Sequence, residues 1–260
     1  MITARRASER FHEHGRKRRV WLTFERPSVR PLVDAFGALT RFDEQRLPRS
    51  GGMPSRGYED VEVLLYVREG SVAFEDGGGR SWMLQAGEFQ LTTASRRARH
   101  KATNASRADG THLFELCIRT TVVGLTAERT LRRFSAGERR GELCVVASED
   151  GRRGSLRLHE DVAVYSALVS SGQHLIHPLA PGRSEWLHVV TGEVVVGDLR
   201  LTMGDAAGVV GERSISFTSR EPSEILLVDL PAEAPPLPAP IRLSTRPSDS
   251  PPLVAQRNAS

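Results

Sequence analysis

Lysine is almost missing from this chain of 260 residues, with Lys17 and Lys101 the only two. The net charge of +4 therefore comes from arginine, and a general compositional preference for arginine accounts for it as well as a ligand would. Cysteine is equally scarce. Cys117 and Cys144 lie inside apolar, strand-like runs, where two such thiols are expected to be free and buried in a reducing compartment. No apolar stretch reaches the roughly 18 residues of a membrane-spanning helix. Met1 to Arg6 lack the apolar core of a secretory leader, so a cytoplasmic location is expected, with no membrane partner. The densest basic run, Arg16 to Arg19, is short, has no interleaved aromatics and matches no nucleic-acid reader motif. It reads as a solvated loop, not a nucleic-acid footprint. His12 and His14, just before it, alternate as strand chelators would, but the loop reading suits them better.

What the chain does contain is a succession of short apolar runs separated by turn residues. Hydrophobic residues make up 39% of the sequence, enough for a folded protein of this length. Val61 to Val67 is a mostly apolar strand, followed by Gly70 and by Ser71 to Glu75. Asp76-Gly77-Gly78-Gly79 is a hairpin signal, because glycine supplies the positive φ values of tight turns. Ser81 to Gln85, Phe89 to Thr92 and Leu113 to Ile118 continue the series, which fits an all-β barrel or sandwich. Glu185 to Val194, with its turn glycine Gly192, echoes the strand that ends at Gly70, and Met203-Gly204-Asp205 echoes Ala86-Gly87-Glu88. A repeat separated by the length of a domain indicates duplication, not a solenoid. Residues 120–142 are expected to be the crossover between the halves. Beyond Leu230 the composition turns to proline, serine and alanine, which cannot bury a core; a disordered Pro-rich tail is expected there, open to a protein partner.

Glu62 to Gly70, Gly87-Glu88-Phe89-Gln90, His100 to Ser106 and Gly154 to Asp161 carry a resemblance to the pirin family of two-domain cupins, most closely to its bacterial quercetinase-like members. The resemblance spans about residues 1–231. It implies two tandem cupin barrels (double-stranded β-helix, jelly-roll): an N-terminal pirin domain over 1–130, a C-terminal cupin over 131–231, and the tail over 232–260. In the family a metal, usually iron, is held in the first barrel by two histidines of a His-Pro-His run and by a His and a Glu of a later His-x-Glu run. Those positions fall on Arg56, Tyr58, His100 and Ala102 here, so His100 alone is retained as a metal-ligand position. A borderline divalent ion needs three or four convergent N, O or S donors. Arg56 is a permanent cation and Ala102 has no donor, so the metal site is expected to be lost unless rebuilt from other residues such as His12 and His14. No cofactor is expected otherwise. The resemblance places no metal in the second half, where His174, His177 and His188 have no carboxylate at cupin spacing.

The candidate pocket comprises Arg56, Tyr58, Glu62, His100, Ala102 and Asn104, with Asn104 also readable as a turn residue. Arg56, Tyr58 and His100 are the candidate catalytic groups: the cation would take a carboxylate or phenolate and the imidazole would move a proton. Equally, Arg56 would pair with Glu59, Asp60 or Glu62 as a structural ion pair. Three functions stay open. One is a regulatory pirin that binds a small aromatic or anionic molecule or a protein partner, without quercetinase activity. The second is a metal-dependent dioxygenase of the quercetinase type with a rebuilt ligand set, as the resemblance implies. The third is a metal-independent isomerase, cyclase or hydrolase using Arg56, Tyr58 and His100.

Overall fold

The structure is a computed structural model that describes residues 1–24, 35–58, 60–94, 99–122, 125–126 and 128–233; the side chains of residues 55–57, 94, 99 and 100 fall outside that description. The expected tail therefore lies outside the described residues from 234 onward, as does Glu59.

The first half runs β1 (Ile2–Arg5), β2 (Phe11–His14), β3 (Arg19–Leu22), β4 (Leu39–Leu47), β5 (Gly52–Gly57), β6 (Val61–Glu69), β7 (Ser71–Asp76), β8 (Ser81–Gln85), β9 (Glu88–Ala94), β10 (Arg99–Asn104), β11 (Thr111–Arg119) and β12 (Arg129–Arg133). A single-turn helix, α1 (Ala136–Arg139), follows. The second half runs β13 (Cys144–Ser148), β14 (Leu156–Arg157), β15 (Ala163–Val169), β16 (His174–Pro178), β17 (Arg183–Thr191), β18 (Glu193–Val196), β19 (Leu199–Thr202), β20 (Ala206–Val210), β21 (Ser214–Ser219) and β22 (Ser223–Pro231).

Each half is a barrel built from one seven-stranded and one four-stranded sheet. The first pairs β12-β9-β6-β11-β4-β3-β2 with β5-β10-β7-β8; the second pairs β1-β20-β17-β22-β15-β13-β14 with β16-β21-β18-β19. The duplication read from the turn glycines is thus a duplication of topology. Gly70 and Gly192 hold φ of +77° and +81°, and a Cβ at either would overlap backbone, 2.6 Å from Gly110 O and 2.6 Å from Pro222 O.

The period of two in a strand explains why β6 is apolar on both faces. Val63, Leu65 and Val67 point into the first barrel, among Val72, Phe74 and Leu84. Leu64 and Tyr66 point the other way, into a core shared by the two barrels, with Phe42, Phe114, Trp186 and Leu226. Tyr66 stacks on Phe89 at 4.2 Å between ring centroids. A polar network crosses the same interface. Glu224 accepts from Tyr66 Oη, from Arg139 Nη1 at 3.1 Å and from Arg68 Nε at 3.0 Å. Glu44 accepts from Arg10 Nη1 at 2.8 Å and contacts His112 Nε2 at 2.9 Å.

Two details depart from the expected domain limits. β1 pairs antiparallel with β20, Ile2 opposite Val209 and Arg5 opposite Ala206, so the first strand completes the second barrel. β12 pairs with β9, so the first barrel's sheet extends past residue 130. Arg16 to Arg19 turn between β2 and β3, with Gly15 N donating to Arg18 O. His12 stacks on Trp21 at this edge, centroids 4.8 Å apart. Both cysteines are thiols outside any disulfide among the described residues, Cys117 buried and Cys144 only half-buried.

Candidate functional site

The mouth of the first barrel lies where β5, β10 and β7 meet. β10 pairs with β5, placing His100 opposite Arg56, then shifts register through a bulge so that Ala102 faces Met53. Backbone pairing thus brings two of the predicted catalytic residues to neighbouring positions, although both side chains fall outside the described residues. Ala102 is 1% exposed and faces Phe74 on the other side. Tyr58, beyond the end of β5, is buried in the barrel core with Met53 and Val63.

A polar group that sequence reasoning missed projects into this barrel from β4 and β11. The register sets Arg41 opposite Cys117, Asp43 opposite Glu115 and Gln45 opposite Leu113, all on the inward face. Arg41 Nη1 donates to Glu115 Oε1 at 2.9 Å, its Nε lies 3.6 Å from Asp43 Oδ2, and Gln45 Nε2 donates to Glu115 Oε2 at 3.4 Å. Burial works to lower the Arg41 pKa, yet Cys117, Glu115 and Asp43 hold it above its ordinary value. The guanidinium carbon lies 6.0 Å from the Tyr58 ring centroid, at the edge of cation–π range. Opposite, Trp82 stacks on Phe74 at 5.2 Å and donates its indole N–H to Gln90 Oε1 at 2.7 Å. The signal in the sequence was the alternation Arg41-Phe42-Asp43-Glu44-Gln45, in which charged and amide side chains occupy inward positions of a strand buried on both faces.

The remaining predicted residues go elsewhere. Glu62 lies on the opposite face of β6 from Val63 and is fully buried against the second domain, where it accepts from His159 N and contacts His159 Nδ1, each at 2.9 Å. It is not part of the mouth. Asn104 is a loop clamp: its Nδ2 donates to Leu47 O, Pro48 O and Asp109 O, and its Oδ1 accepts from Ser106 N at 2.8 Å. That is the turn role its sequence suggested. A groove of about 890 Å³ opens at the junction of the halves, apart from the mouth, lined by Arg46, Arg68, His112 and Thr191 among others.

Chemically, the mouth offers a fixed cation, two carboxylates, a phenol and stacked aromatic faces. Of the four positions at which the resemblance puts the family's ligands, His100 keeps a ligating group and the other three differ. Ala102 carries no donor atom, Arg56 has no lone pair to give, and the Tyr58 ring lies beside a guanidinium.

Comparison with known proteins places this geometry. The family description "Pirin" matches residues 17–118, and that of the quercetinase C-terminal cupin domain matches residues 145–230. A quercetin 2,3-dioxygenase from Escherichia coli is 32% identical over 232 residues, spanning 89% of this chain and 99% of the relative. A nickel(II) complex of the bacterial pirin YhhW from Escherichia coli superposes with a TM-score of 0.83 at 31% identity, covering 89% of this chain and 99% of that one. A quercetin 2,3-dioxygenase from Acinetobacter baumannii shares the fold alone, with TM-score 0.73 and 17% identity over 90% and 87% of the two chains. Two barrels joined across one core, each half matched by its own family description, make this chain a member of the pirin family of bicupins.

Proposed function

We propose that the first barrel has exchanged the family's metal for the Arg41–Glu115–Asp43 group and holds a small aromatic or anionic molecule, so that the chain acts as a binding or regulatory pirin without quercetin 2,3-dioxygenase activity. The observation that carries this reading is the position of Ala102. It stands where the family has a ligand carboxylate, yet it is buried among apolar side chains and supplies no donor. Tyr58, at another ligand position, has its ring 6.0 Å from the Arg41 guanidinium carbon, and that guanidinium already engages Glu115 and Asp43, so the three polar side chains in the barrel are committed to one another. The donors and acceptors of Arg41, Glu115 and Tyr58, beside the Trp82 ring that Arg129 covers at 3.7 Å, are instead suited to the polar edge of an aromatic molecule.

The dioxygenase reading draws its support from the names of the relatives at 32% identity, and it requires donors other than Tyr58 and Ala102. Oxygen uptake with quercetin separates the two. With iron(II), nickel(II) or manganese(II) added, no quercetin-dependent uptake is expected, and an aromatic carboxylate should raise Tm by an amount that shrinks in Tyr58→Phe. Quercetin-dependent uptake that disappears in His100→Ala would refute the proposal.

A further inference from the structure

The second barrel carries a cluster at its mouth that the spacing of histidines concealed. His177 comes from β16, Glu185 from β17 and Asp229 from β22. Glu185 and Asp229 are register partners, so their side chains share a face. One ligand atom from each of the three residues lies within 4.8 Å of the others.

Equivalent strands show what this position is. Glu185 stands seven residues before the turn glycine Gly192, as Val63 stands seven before Gly70. Asp229 pairs with Glu185 as Cys117 pairs with Val63. Glu185 and Asp229 therefore occupy the barrel layer that in the first half holds Val63, Cys117 and Arg41, with Ala163 in the place of Arg41 and His177 reaching across from β16. Where that layer has an arginine, this one has two carboxylates and an imidazole.

Glu185 carries the argument. It is fully buried, and its Oε1 accepts from His177 Nδ1, but its Oε2 has no hydrogen-bond partner among the described residues. A carboxylate oxygen withdrawn from water without a donor is costly. Arg183 does not neutralise the cluster: its Nε binds Asp229 at 2.8 Å while its Nη1 binds Asp161 at 2.6 Å. Three carboxylates around one guanidinium leave a net negative mouth. The Tyr165 ring packs edge-on against His177, centroids 4.7 Å apart, and its hydroxyl is held by Arg152 at 2.7 Å, which fixes the imidazole wall.

We propose that His177, Glu185 and Asp229 form a site for a divalent transition-metal ion in the second barrel. One imidazole and two carboxylates are a borderline donor set of the zinc, manganese or iron(II) kind, and three protein ligands leave a coordination position open to water or a ligand. The ion would supply the partner that Glu185 Oε2 lacks.

The test uses the full chain, stripped with chelator and titrated with zinc(II) alone, with calorimetry for affinity and elemental mass spectrometry for stoichiometry after gel filtration. One zinc per chain is expected, retained in His100→Ala and weakened more than about a hundredfold in both His177→Ala and Asp229→Asn. Circular dichroism confirms that each variant is folded, and Asp229→Asn, at a partly buried position, guards against loss of fold in His177→Ala. Absence of zinc binding, binding indifferent to both second-barrel changes, or binding lost in His100→Ala would each overturn the proposal. The outcome is independent of the proposed role of the first barrel, which stands or falls on quercetin turnover.

Discussion

His188 makes the shared core sensitive to acid in a way that can be worked out in advance. Its ring is fully buried between Phe42, at 4.5 Å centroid to centroid, and Phe114, at 5.8 Å, and neither ring nitrogen has a hydrogen-bond partner among the described residues. Burial, reinforced by the Arg10 charge and only partly offset by Glu44 and Asp205, pushes its pKa down from 6.5 to about 3. A histidine that must stay neutral when folded but protonates freely when unfolded loses stability as pH falls below about 6.5, and the loss continues to about 3. Between pH 7.5 and 4.5 this single group should remove roughly 2.7 kcal/mol, two pKa units at about 1.4 kcal/mol each. Glu44, in contact with the same network, complicates only lower pH. Burial raises its pKa, but the His112 bond and the Arg10 charge overcome that and hold it at about 2. Its contribution is present above about 4.5 and is lost as pH falls towards 2. Urea unfolding of the native chain and of His188→Phe at pH 7.5 and 4.5 isolates the histidine, because the other acid-sensitive groups cancel in the difference. The stability gap between the two proteins should move in favour of the variant by roughly 2–3 kcal/mol on going to pH 4.5. An unchanged gap at the two pH values would refute the reasoning.

Other expectations rest on the same structure. Arg56→His, Tyr58→His and Ala102→Glu made together should add one iron per chain beyond what the native chain holds, and a further His100→Ala change should remove that addition; a triple variant with no more iron than the native chain, measured by elemental mass spectrometry, would mean that the pocket positions are misaligned. Glu224→Ala strands Arg139, whose side chain is 8% exposed, and should cost about 3–5 kcal/mol in urea unfolding, against about 1–2 kcal/mol for Tyr66→Phe. Gly192→Ala drives a methyl group to 2.3 Å from Ser223 Oγ at φ +81° and should cost more than about 2 kcal/mol, whereas Gly79→Ala, at φ +79° with open space around it, should cost nearer 1 kcal/mol. Equal losses at the two glycines would show that backbone conformation alone, not the close approach, sets the penalty.

The barrels were legible because their punctuation is local. Gly70 and Gly192, the Asp76 to Gly79 turn and the apolar run of β6 each declare themselves within a few residues, and Asp76 O accepts from Gly79 N as a hairpin end requires. The site was harder to read because it depends on which face a strand residue takes. β4, β6 and β11 are buried on both sides, so hydrophobic alternation cannot say whether Glu62 or Val63 faces the barrel, and Glu62 proved to serve the interface with His159. Arg41 and Glu115 meet only through the β4–β11 register, and His177, Glu185 and Asp229 only through three strands of two sheets. Spacing rules tuned to a compact ligand motif pass over such constellations. The placement of β1 was illegible for a similar reason, since its partner lies at the far end of the sequence.

That exchanged first strand has a consequence for how the chain is made. Barrels that fold in order of synthesis can ordinarily close one after the other. Here Ile2 to Arg5 are made long before their partners Ala206 to Val209, about 200 residues later. The second barrel's sheet consequently keeps an open edge at β20 until β1 returns to cover it, and an unpaired strand edge invites pairing with another chain. Crowded synthesis, not the finished fold, is where this protein is most exposed to error.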